Sequence, residues 1–218
     1  MNPTSAVAKA QTSAKYPWHD AKGDQFDVLT DIYQQNTNIA IWQRSVPATL
    51  IEAGESILAT NSGLELSLIV TPEEANAAVT KALGAMPMAT VLSEDIAQLV
   101  DMFCCLFDLR RAGLRLTALD RAMCPRFHVD KVSCRLITTY QGVATEWLPH
   151  HAADRSKLGL GNQANQMRNL GYLRVPATSN SYAEGMLRCS RASLGREIKG
   201  RDLFIAHPSC WTQHVDCC

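Results

Sequence analysis

The chain has 218 residues, with 21 Lys+Arg against 21 Asp+Glu and 46% hydrophobic residues. That length suits a single domain of about 100–200 residues, and balanced charge lacks the basic field that draws nucleic acid or an anionic membrane surface. No stretch approaches the roughly 20 consecutive apolar residues of a membrane span, so the expectation is a protein with neither nucleic acid nor membrane as partner.

Residues 1–36 are polar and show no sustained period, which predicts a loosely ordered arm. Its first part lacks the apolar run of about 7–15 residues that marks a secretory signal, and a cytoplasmic address with reduced thiols is expected for the eight cysteines. Asn38-Ile39-Ala40-Ile41-Trp42 reads as a strand. From there residues 47–112 read as helical. Pro47 suits a first turn, and Leu50, Ile51, Ile57 and Leu58 share a face. Thr71-Pro72-Glu73-Glu74 signals a second helix: Thr71 is the cap, Pro72 the first helical residue, and Glu74 completes a capping box. Ala75, Ala78, Val79, Ala82 and Leu83 line one side. A longer helix is predicted from Ser93 to Ala112, with Ile96, Leu99, Val100, Phe103 and Phe107 as its apolar stripe and Gly113 as its stop. Cys104 and Cys105 lie within it and read as small hydrophobes, since neighbouring cysteines alone chelate poorly.

From Leu114 to residue 185 the pattern turns β-rich, with candidate strands at 114–117, 126–130 and 134–140. Cys124-Pro125-Arg126-Phe127-His128-Val129-Asp130 carries the chemistry. On a strand His128 and Asp130 project from one face while Phe127 and Val129 project from the other. One imidazole and one carboxylate so placed are two of the three ligands in the facial triad that holds non-haem Fe(II), and they also serve as an ordinary surface hydrogen-bonded pair. Arg135 and Tyr140 follow on the next strand, where they either pack and hydrogen-bond at an edge or contact a bound acid. His150-His151 sits at a strand exit, and His19 stands in the polar arm.

The block Leu116–Leu148, LTALDRAMCPRFHVDKVSCRLITTYQGVATEWL, closely resembles the bacterial family called domain of unknown function 1826. That family's hallmarks are CPRFHVD, a CRL-x-x-TY strand and a Gly-Pro-Gly-Thr-Glu-Trp-Leu turn. Asn38–Arg44, NIAIWQR, resembles its N-terminal signature. Gly142-Val143-Ala144-Thr145 departs from the family's turn. The layout is similar to that of 2-oxoglutarate/Fe(II) dioxygenases. The resemblance therefore implies an α+β fold, with N-terminal helices packed on a double-stranded β-helix of cupin or jelly-roll shape. It also implies His128 and Asp130 as metal ligands, Fe(II) and 2-oxoglutarate as cofactors with Arg135 and Tyr140 near the acid, and hydroxylation of an unidentified small-molecule or protein substrate. Genes of the resembled family are often found beside zinc-starvation genes, so a non-enzymatic, cupin-like metal-binding or zinc-homeostasis module is the alternative.

The family's late His-Arg-Ser-Pro segment, with an Arg about ten residues on, is absent. Residues 186–218 lack strand alternation and read as an aberrant tail that leaves the β-helix incomplete and catalysis doubtful. Read one base out of frame, Cys210-Trp211 must encode Leu, Trp211-Thr212 must encode Asp, and Asp216-Cys217-Cys218 must encode Leu-Leu. Permitted degenerate bases across Leu203–Cys218 then yield LIHRSPELLDATRRLL, which restores the missing segment and marks the tail as frameshifted. At face value, His207, Cys210, His214, Cys217 and Cys218 offer spacings that Zn²⁺ could use.

Overall fold

The computed structural model describes residues 19–119, 134–142 and 147, together with the strand backbones of 185–188 and 202–206. Thr71 opens helix α2 (Pro72–Leu83) as expected, its hydroxyl accepting from the Glu74 N–H at 3.3 Å with Pro72 at the first helical turn. That satisfies one of the amide groups a helix start leaves without a carbonyl. Ala75, Val79 and Leu83 form its buried side, and Gly84, at φ 63°, ends it in a conformation that glycine adopts without strain. Helix α1 (Ala48–Thr60) starts after Pro47 and buries Leu50, Ala53, Gly54 and Ile57. The face turned inward is therefore centred on 50, 53, 54 and 57, leaving Ile51 and Leu58 only half-buried.

Helix α3 (Ala89–Leu106) keeps the expected stripe of Ile96, Leu99, Val100 and Phe103 but shifts at both ends. Ser93 does not cap it. The side chain is fully buried, donates to the Thr90 carbonyl at 3.0 Å and meets the Thr80 hydroxyl at 2.7 Å, tying α3 to α2. At the other end Asp108, not Gly113, takes the left-handed turn, at φ 49°. Leu109 N–H bonds to Cys104 O at 2.8 Å and Asp108 N–H to Cys105 O at 3.4 Å, the two bonds of a Schellman stop. Aspartate tolerates that backbone region better than most residues, so the helix ends early and Gly113 becomes part of a strand.

Among the described residues seven strands make one mixed sheet in the order β1-β2-β6-β5-β7-β4-β3. They are β1 (His19–Gly23), β2 (Thr37–Trp42), β3 (Glu65–Val70), β4 (Ala112–Thr117), β5 (Arg135–Thr138), β6 (Gly185–Arg188) and β7 (Asp202–Ala206). β1 and β2 run parallel, as do β5–β7 and β7–β4, while β2–β6, β6–β5 and β4–β3 are antiparallel. The run 47–112 is therefore helical with a strand inside it: Leu64, Leu66, Leu68 and Val70 alternate, and period two is what a sheet face requires. In the arm of residues 1–36, residues 19–23 form β1, and Phe26–Tyr33 form a 3₁₀ helix that buries Leu29 and Ile32. In the tail, 202–206 forms β7 between β5 and β4.

The fold is α+β. Ala40 of β2 joins the main core with α1, α2 and α3, whereas Ile39 and Ile41 point to the opposite face, where Trp147 packs. The expected double-stranded β-helix, which needs two sheets face to face, is not shown. Among the described residues all strands belong to one sheet, helices cover one of its faces, and Trp147 packs on the other. No helix among the described residues is long and apolar enough to cross a membrane.

Among the described residues Phe103 is the largest fully buried side chain, and it meets Phe107 edge-on at 5.1 Å between ring centroids. Phe103→Ala should lower unfolding free energy by about 3–5 kcal/mol in urea denaturation, the cost of lost burial plus the cavity left behind.

Candidate functional site

Arg44 follows β2 by two residues, Asp95 lies in the second turn of α3, and Tyr140 lies two residues past β5. Folding brings the three together. Arg44 Nη1 donates to Asp95 Oδ1 at 2.7 Å and Nη2 to Oδ2 at 2.9 Å, the parallel two-pronged geometry in which guanidinium and carboxylate match best. Tyr140 Oη donates to Asp95 Oδ2 at 2.6 Å, and Arg44 Nη2 lies 3.4 Å from Thr138 Oγ1 on β5. The guanidinium also lies over two aromatic rings, 5.6 Å from the Trp42 centroid and 5.8 Å from that of Tyr140.

The group is nearly dry. Arg44 is 8% and Tyr140 6% exposed, and Thr138 is fully buried. Burial alone would lower the Arg44 pKa, but the Asp95 bonds and charge outweigh it and hold the guanidinium above its usual range. The Tyr140 phenol is pushed well above 10, first by burial and then by the Asp95 carboxylate, against the opposing pull of Arg44. Tyr140 is thus a neutral hydrogen-bond donor across the physiological range and not a base. Arg44 Nε is buried with no hydrogen-bond partner among the described residues.

Behind the Tyr140 ring lies a small apolar cavity of about 30 Å³ lined by Gly54, Ile57, Leu92, Leu116, Thr117 and Tyr140 among others. Thr117, one of the lining residues, has a buried Oγ1 without a hydrogen-bond partner among the described residues. This space suits a water or two, far short of the ~300 Å³ at which organic ligand pockets begin.

His128 and Asp130 lie outside the described residues, as do His150, His151, His207, Cys210, His214, Cys217 and Cys218. The structure places Tyr140 with Arg44 and Asp95, its hydroxyl proton committed to the carboxylate. Arg135 is half-buried at the start of β5, in backbone register with Arg188 of β6 and Asp202 of β7. His19 contacts Thr37 Oγ1 at 3.1 Å across β1 and β2. Cys104 is buried and Cys105 exposed. No group of three or more His, Cys, Asp or Glu able to hold a metal ion occurs among the described residues.

Arg44 and Asp95 carry no flag as functional residues in the sequence. One signal was available: Asp95 falls three residues after Leu92 and four before Leu99, inside the apolar stripe of α3, where an acid needs a buried partner.

A family model described as "Protein of unknown function (DUF1826)" matches residues 23–178. The chain belongs to that family. The DUF1826 match takes in Arg44, Asp95, Arg135 and Tyr140, as well as His128 and Asp130, and ends before β6. No curated protein and no solved structure matches the chain.

Removing one partner of the ion pair strands the other as a buried charge. Asp95→Ala should cost about 3–5 kcal/mol in chemical denaturation, while the triple change Arg44→Met, Asp95→Leu and Tyr140→Phe should recover most of it by removing every orphaned polar group together. The phenol gives a pH signature. Unfolded tyrosine releases its proton near 10 whereas folded Tyr140 keeps it, so the stability it contributes is complete below pH 10 and is lost as pH rises toward the folded pKa. Tyr140→Phe should therefore flatten the alkaline fall in melting temperature above pH 10 and leave its slope below pH 9 unchanged.

Proposed function

We propose that this chain is a metal-binding protein of the Fe(II)/2-oxoglutarate dioxygenase-like kind, with His128 and Asp130 as two of the metal's ligands. The observation that carries the reading is the framing of the segment that holds them. It leaves β4 and returns into β5, the two strands that border β7 in the interior of the sheet. Both ends are fixed: Ala118 N–H bonds to Leu64 O at 2.8 Å, and Cys134 is 2% exposed. Fixing both ends of a segment lowers the chain entropy that a His-x-Asp pair within it has to give up on chelating an ion, which favours binding.

An imidazole nitrogen and a carboxylate oxygen fit Fe(II) and Zn(II) alike. Fe(II) with 2-oxoglutarate would supply oxidative hydroxylation of a C–H bond. The chain's own part would be to hold and orient. Tyr140, neutral and bonded to Asp95, would fix the chain at the exit of β5. Arg135 would offer a planar, two-pronged donor for an acid at the start of that strand. We read the tail after residue 185 as frameshifted, with the third ligand and the late Arg lost. The family match, which stops at 178, supports this. Sequencing the gene through the codons for Ala183–Met186 checks it: an inserted or deleted base is expected, and its absence rejects the reading.

Anaerobic titration with Fe(II) and then 2-oxoglutarate tests the site. A weak visible charge-transfer band is expected, strongest in a frame-restored chain. His128→Ala or Asp130→Ala should weaken Fe(II) binding about tenfold or more, since even loss of an outer partner costs that much. Tight Zn²⁺ binding with no such band would favour the non-enzymatic module, and absence of metal binding in both chains would end the proposal.

A further inference from the structure

We draw no further inference here: the strongest candidate, the outer edge of strand β3, where Ile69 is 74% exposed and no strand pairs among the described residues, carries none because nothing in the structure shows what covers it.

Discussion

The joint between helices and sheet depends on one buried ion pair. Arg44 comes from the chain after β2, Asp95 from α3, and Thr138 and Tyr140 from the end of β5, so a single carboxylate fixes three parts of the molecule that are far apart in sequence. Hydrophobic contact among Val79, Ile96, Leu99, Val100 and Phe103 supplies most of the cohesion, but it has no direction and would tolerate a sliding helix. The forked geometry of Arg44 on Asp95 does not tolerate it. Taking those charges out of water is costly, and a well-packed apolar substitute would stabilise as much or more. Its contribution is therefore to registry: one position of α3 along the sheet lets Asp95 accept both Arg44 bonds and the Tyr140 hydroxyl together.

The same joint limits what the neighbouring residues can do. Tyr140 points its proton at Asp95 and backs a cavity with space for water only. In sequence, His128 and Asp130 fall between β4 and β5, and this joint holds the chain just past β5.

Much of the fold was legible because local signals act locally. Thr71 and Pro72 start a helix wherever they stand before an amphipathic run, and Ile39-Ala40-Ile41 suits a strand buried on both faces. The end of α3 was not legible: Gly113 looked the obvious stop, yet Asp108 supplied the left-handed residue earlier. β3 was hidden inside a stretch that reads as helical, its alternation only six residues long. Arg44 and Asp95 were missed for another reason. Fifty-one positions separate them, and pairing over that distance depends on topology, which no local period encodes. The double-stranded β-helix came from resemblance alone, and the described strands lie in one sheet.

The order in which the sheet is assembled has its own consequence. β7, the last strand in sequence among the described residues, occupies an interior place with β5 on one side and β4 on the other. A ribosome releases the chain from its N-terminus onward, so the flanks of the sheet exist long before the strand that joins them. Until residues 202–206 have emerged, β4 and β5 each keep an unfilled row of hydrogen-bonding groups, an edge open to pairing with other strands.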